Sequence, residues 1–176
     1  MSMLTAATWV TAFLLVMAGA RKVVQPDPTS VALRTARLPS DPRLVRMSGV
    51  GEVGLGATVL LIGGAVPTAL LAALHSGFAV FAGRQRRTGS DCGCFGTSGT
   101  PVTGAHVWLN VTLAGIALGA AALPGPALPS LIATQPVAGG IVAVLVCTGA
   151  AALRLLLTTA PELTAAVALL EPDAAR

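Results

Sequence analysis

Charge is what this sequence has least of. Only 10% of its 176 residues are Asp, Glu, Lys or Arg, against 54% hydrophobic, whereas a soluble domain carries about 25% charged residues. An ordinary water-soluble domain is thereby excluded, and the chain reads as one that lives in a bilayer. Aromatic side chains are also scarce, with two Trp, four Phe and no Tyr. Helices built mainly from Ala, Gly, Val and Leu must then pack closely through small residues rather than through large rings. The net charge of +4 is no nucleic-acid footprint, because the basic residues sit at segment ends without interleaved aromatics. It is a topology signal instead.

Crossing about 30 Å of hydrocarbon takes roughly 20 apolar residues. Five runs qualify: about Met3 to Ala20, Val45 to Gly64, Pro67 to Gly83, Thr103 to Leu123, and Val137 to Leu157. The second and third share the tight turn Gly63-Gly64-Ala65-Val66 and should form an antiparallel hairpin. Between the first two lies a proline-rich stretch with a short amphipathic segment, Thr29 to Leu38, whose Arg34 and Arg37 suit a headgroup interface. Thr159 and Glu162 have the spacing of a capping box and should open a short surface helix to Leu170. Ala18-Gly19-Ala20 resembles a signal-peptide cleavage site, but no basic region precedes it and Arg21-Lys22 follows as a stop-transfer flank would. The expected fold is all-α: a polytopic membrane bundle of about five transmembrane helices, a four-helix core plus one, over residues 1–157. Residues 158–176 form a short interfacial or disordered tail.

Short loops rich in Lys and Arg stay in the cytoplasm. Arg21, Lys22, Arg34, Arg37, Arg43 and Arg46 fall in the first connection, Arg84, Arg86 and Arg87 in the third, and Arg154 and Arg176 at or beyond the last span. The N-terminus and the second and fourth connections have none. This predicts the N-terminus outside and the C-terminus inside, with the third connection cytoplasmic or folded back into the membrane.

That connection contains Ser90-Asp91-Cys92-Gly93-Cys94-Phe95-Gly96, with two of the three cysteines. A Cys-x-Cys disulfide needs a tight backbone turn, which Gly93 allows. Such a ring is strained, and strain makes a disulfide labile and suited to exchange. Arg84, Arg86 and Arg87 favour thiolate, while Asp91 opposes it. Two alternatives stand beside the redox reading. The cysteines are two small loop residues without a joint role, or they are half of a metal site. Zinc wants four ligands, and these two thiols plus His106 fall short within one chain, so no metal is expected.

Inside the spans, Glu52 in Gly51-Glu52-Val53-Gly54-Leu55-Gly56 is the one acidic residue. Burial in lipid is costly enough to make such a group a candidate for function. Glu52 and His75 lie roughly 10–12 Å from the cytoplasmic end of their helices, level with each other, so they could hydrogen-bond with Asn110 as a third partner. This set could move protons or steady a thiol or quinone intermediate; equally, it could be polar glue between helices. Gly51, Gly54 and Gly56 mark close packing, since no strand precedes them as a nucleotide fingerprint requires. Cys147, mid-way along the last span, reads as a buried small hydrophobe, and Trp9 and Trp108 as interface anchors.

"AGARK" at the end of the first helix, the acid in "GEVGLG" and above all "DCGCFG" ahead of the fourth resemble the methylamine-utilisation MauE family, grouped with DoxX-like membrane proteins, over about Leu4 to Leu123. The resemblance implies a bacterial inner-membrane protein of four or five spans. It implies work alongside a thioredoxin-like partner in maturing an exported, disulfide-rich client such as methylamine dehydrogenase. By that resemblance Cys92 and Cys94 are the redox pair and Glu52 a bundle acid. The catalytic candidates are thus Cys92, Cys94, Glu52 and His75; no bound cofactor is needed in principle, and a membrane quinone could be the electron partner. A non-enzymatic membrane assembly factor and a small proton-coupled transporter using Glu52 and His75 are the alternatives.

Overall fold

A computed structural model describes residues 2–88 and 102–170, and every regular element among them is an α-helix. In chain order these are α1 (Met3–Val24), α2 (Asp27–Thr35), α3 (Pro42–Leu61), α4 (Ala65–Thr88), α5 (Gly104–Ala122), α6 (Leu128–Thr134) and α7 (Pro136–Leu170). The helices α1, α3, α4, α5 and the Pro136–Leu157 part of α7 are long and apolar enough to cross a membrane. These are the five spans expected from hydropathy, and α2 is the short helix expected between the first two.

Local chemistry sets the ends. The Ser2 hydroxyl accepts the Thr5 amide at 3.3 Å and caps α1. No breaker intervenes before Pro26, so α1 runs past the expected end at Ala20 to Val24. Asp41 accepts the Arg43 amide at 2.7 Å and Pro42 occupies the first helical turn, which starts α3 ahead of Val45. Gly63 and Gly64 have φ of +73° and +98°, backbone that only glycine adopts freely, and they make the tight turn into α4. The separate tail helix expected at Thr159 does not form. Instead α7 continues to Leu170, and Thr159 Oγ1 donates back to the Leu155 carbonyl at 2.7 Å rather than capping a new helix forward.

α1 is the central helix, lying against α3, α5 and α7, while α4 packs chiefly on α5. The expected hairpin of α3 and α4 therefore shares its turn, but each helix has its main contact elsewhere. Glycine explains the choice for α3. A Cβ at Gly19 would lie 2.6 Å from the Gly49 carbonyl oxygen, one at Gly49 2.6 Å from that of Gly19, and one at Gly56 2.7 Å from that of Ala12. With no side chains there, the backbones of α1 and α3 touch at two levels. Of the three glycines expected to mark close packing, Gly56 alone does so, since Gly51 and Gly54 would meet nothing within 4 Å.

The core follows the same small-residue logic, with Ala12, Leu15, Val59, Leu71, Ala72 and Ala117 in one buried cluster. α6 gives no periodic signal because it has only seven residues, yet its Leu131 is buried with Trp9 and Val146. Trp9 is consequently a core residue rather than the interface anchor expected, whereas Trp108 is exposed. Cys147 corrects another expectation. It is exposed on α7, because Val146 and Ala150 occupy the helix's buried stripe. Val80, Leu118, Val144 and Leu145 are exposed as well, as suits a bundle solvated by lipid.

Candidate functional site

The glycine contact between α1 and α3 builds the site. The Cβ of Glu52 lies against Gly19 and that of Lys22 against Gly49, so the two side chains flank the place where the backbones touch. There Lys22 Nζ donates to Glu52 Oε1 in a buried ion pair. Each residue is 5% exposed. The second carboxylate oxygen, Glu52 Oε2, is buried and has no hydrogen-bond partner among the described residues. Taking both charges out of water is costly, and their mutual attraction offsets that cost only while both are present.

The fourth and fifth helices complete the constellation. The Lys22 ammonium stands 4.8 Å from the centroid of the Phe78 ring, within the range of a cation over an aromatic face. Phe78 in turn meets the ring of His75 edge-on, with centroids 5.8 Å apart. His75 Nδ1 and Asn110 Oδ1 are 3.0 Å apart, and Asn110 Nδ2 donates to the His106 carbonyl at 2.9 Å. Since the amide nitrogen is engaged by that carbonyl, Asn110 turns its oxygen to His75, which assigns the proton to Nδ1 in this network. His75 Nε2 is buried and has no hydrogen-bond partner among the described residues.

Two spaces adjoin these groups. Lys22, His75, Phe78 and Asn110, with leucines of α1 and α5, surround a cavity of about 40 Å³, enough to admit water. On the other side of Lys22 and Phe78, a cleft of about 400 Å³ runs among α2, α3 and α4, with Glu52, Leu74 and Phe81 also on its walls. Leu33 of α2 lines the cleft, and α2 is tied to α4 by Gln85 Nε2, which donates to the Ala32 carbonyl at 3.0 Å.

The methylamine utilisation protein MauE family matches residues 1–123. The chain belongs to that family. No curated protein and no solved structure matches it. The match takes in α1 to α5 and with them Lys22, Glu52, His75 and Asn110, as well as the segment carrying Cys92 and Cys94; α6 and α7 lie beyond it. With its five apolar spans, this member of the MauE family is a multi-pass membrane protein.

Glu52 and His75, the candidates within the spans, are linked in the MauE-family bundle through Lys22 and Phe78. The hydrogen bond expected between them is not formed, because Lys22 and Phe78 come between. A carboxylate inside the bundle gains more from a cation than from a neutral imidazole, and Glu52 takes Lys22 while His75 takes Asn110. Lys22 is the residue that sequence reasoning missed, having been taken as a flanking loop charge. Its signal was present: a single acid in an apolar span demands a counter-charge, and "ARK" stands at the end of the neighbouring span. His106, weighed as a metal ligand, caps α5, its Nδ1 accepting the Thr103 amide at 3.2 Å. Cys92 and Cys94 lie outside the described residues, in the connection from α4 to α5.

Proposed function

We propose that this MauE-family protein is an integral membrane thiol–disulfide redox protein that acts through Cys92 and Cys94. It relays electrons to or from a thioredoxin-like partner, in the maturation of exported proteins such as methylamine dehydrogenase. The observation that carries this reading is the sequence Cys92-Gly93-Cys94 in the connection between α4 and α5, within the stretch that matches the family. His75 of α4 and Asn110 of α5, hydrogen-bonded to each other, belong to the two helices that carry this connection. In one direction of flow, the thiolate of one cysteine attacks a sulfur of the partner's disulfide. That S–S bond breaks, one partner sulfur leaves as thiolate, and a mixed disulfide joins the proteins. The second cysteine's thiolate then attacks the mixed disulfide, closes the Cys92–Cys94 bond and releases the partner as a dithiol, two electrons reduced. The reverse sequence runs the relay the other way.

The protein is read as residing in a bacterial cytoplasmic membrane, N-terminus outside and C-terminus inside, from the basic residues of the connections after α1 and α4. A Cys94→Ser variant tests the chemistry. The expected result is a reductant-sensitive mixed disulfide with a captured partner, and in the unaltered protein a free-thiol count that falls by two on oxidation. No captured partner and a thiol count indifferent to redox poise would defeat the reading. A non-enzymatic assembly factor is the second reading, favoured by the pairing of Lys22 with Glu52 and of His75 with Asn110 across helices. Full client maturation with both cysteines replaced by Ser is the outcome it requires.

A further inference from the structure

We infer that the groove between the last turns of α4 and the start of α5 binds the phosphate of an anionic phospholipid, with an acyl chain laid along α4. A cleft of about 660 Å³ opens there, lined by Val80, Gly83, Arg84, Arg86, Arg87 and Val107. Three guanidiniums share it, and no carboxylate among the described residues lines it or pairs with them. Arg86 lies beside Gly104, since a Cβ there would stand 3.5 Å from its Nη1. That guanidinium is thereby set at the positive end of α5, whose first turn has no acidic residue. The C-terminal end of α4 offsets only about half of one charge. A bound anion answers the rest, and the forked donors of arginine match phosphate oxygens two at a time. The neighbouring residues decide what carries the phosphate. Leu70, Ala73, Gly77 and Val80 form an exposed stripe on α4 at helical spacing, and the same stripe ends on the exposed Arg84 and Arg87. From Leu70 to Arg84 is about 21 Å of helix at a rise of ~1.5 Å per residue, more than the ~15 Å depth of one leaflet's hydrocarbon. An acyl chain can thus lie along the stripe while its phosphate meets the arginines. Trp108, exposed near the start of α5, sets the headgroup level beside the cleft, as amphipathic rings do. A soluble phosphate or an acidic protein segment would use the arginines and leave the stripe idle.

The test is native mass spectrometry of the full chain released from detergent micelles, titrated with dioleoylphosphatidylglycerol. One saturable lipid per chain is expected, held about tenfold or more tightly than dioleoylphosphatidylcholine, whose choline already answers its phosphate. Arg84→Gln combined with Arg87→Gln should weaken phosphatidylglycerol binding by about tenfold or more. Arg34→Gln combined with Arg43→Gln removes the same charge from the connection after α1 and should leave binding intact. All four side chains are exposed, so both double variants keep the fold. Equal weakening by the two pairs would mean diffuse attraction to any basic helix end and would overturn the site, as would equal retention of the two lipids or the absence of saturable binding. Glycerophosphoglycerol, the headgroup without its chains, and a hexaglutamate peptide should both fail to displace the lipid. Displacement by the first would assign the cleft to soluble phosphates and by the second to an acidic protein segment, and either overturns the lipid assignment.

Discussion

Replacing Lys22 by Met keeps much of the side chain's length and removes its charge, leaving Glu52 alone in the bundle. Both residues are only 5% exposed and Glu52 Oε2 already lacks a partner among the described residues, so no described side chain stands ready to compensate. Breaking a buried pair from one side costs about 3–5 kcal/mol, a shift of roughly two to four powers of ten in the folding equilibrium at ~1.4 kcal/mol per decade. Lys22→Met also loses the ammonium over Phe78. Glu52→Met should cost a similar amount, from the opposite side. The double variant, with neither charge, should recover most of the loss and lie within about 1 kcal/mol of the original, since apolar replacement of a whole buried pair is often neutral or stabilising. The assay is reversible unfolding in mixed micelles, followed by circular dichroism, for the four members of the cycle. A coupling of about 5 kcal/mol or more is expected from those losses. Single losses under ~1 kcal/mol that simply add in the double variant would refute the buried pair as the organiser of the site.

Three further outcomes follow from the packing. Gly49→Ala should destabilise by about 1–3 kcal/mol, because its new methyl meets the rigid Gly19 carbonyl, whereas Gly51→Ala and Gly54→Ala, with nothing within 4 Å, should be neutral or slightly stabilising in the same unfolding assay. Asn110→Leu leaves His75 Nδ1 without its acceptor and should cost about 0.6–2 kcal/mol, the range measured for polar contacts between membrane helices; a change below that range would mean the bond is not formed. In a Cys147→Ser background, tolerated because Cys147 is exposed on α7, a membrane-impermeant maleimide should label Cys92 and Cys94 only after cells are permeabilised. Labelling in intact cells would reverse the orientation.

Much of the architecture was legible in one dimension. The five spans and the glycine turn at Gly63-Gly64 needed only hydropathy and the demands of left-handed backbone. Where the reading failed, the reason was a neighbour that composition does not name. Trp9 looked like an interfacial anchor until Leu131 of α6 and Val146 of α7 were found covering it. Cys147 looked buried because cysteine usually is, yet it falls one residue off the stripe that faces the core. Thr159 had the spacing of a cap, but α7 carries straight through it. Within the site, Glu52 and His75 were identifiable as costly groups in apolar surroundings. Their partners were not, since depth along a helix says nothing about which faces meet.

The division has a physical cause. Whether a segment can cross a bilayer depends on the cost of its own side chains and backbone in hydrocarbon, a sum over about 20 consecutive residues, and so the amino-acid sequence by itself determined the helices and the scarcity of charge that makes Glu52 conspicuous. Which charge answers Glu52 depends on distances between helices. Lys22 and Glu52 are 30 residues apart in the chain, and they meet because Gly19 and Gly49 let α1 and α3 close to backbone contact; that pairing, and the cleft beside it, only the tertiary structure decided.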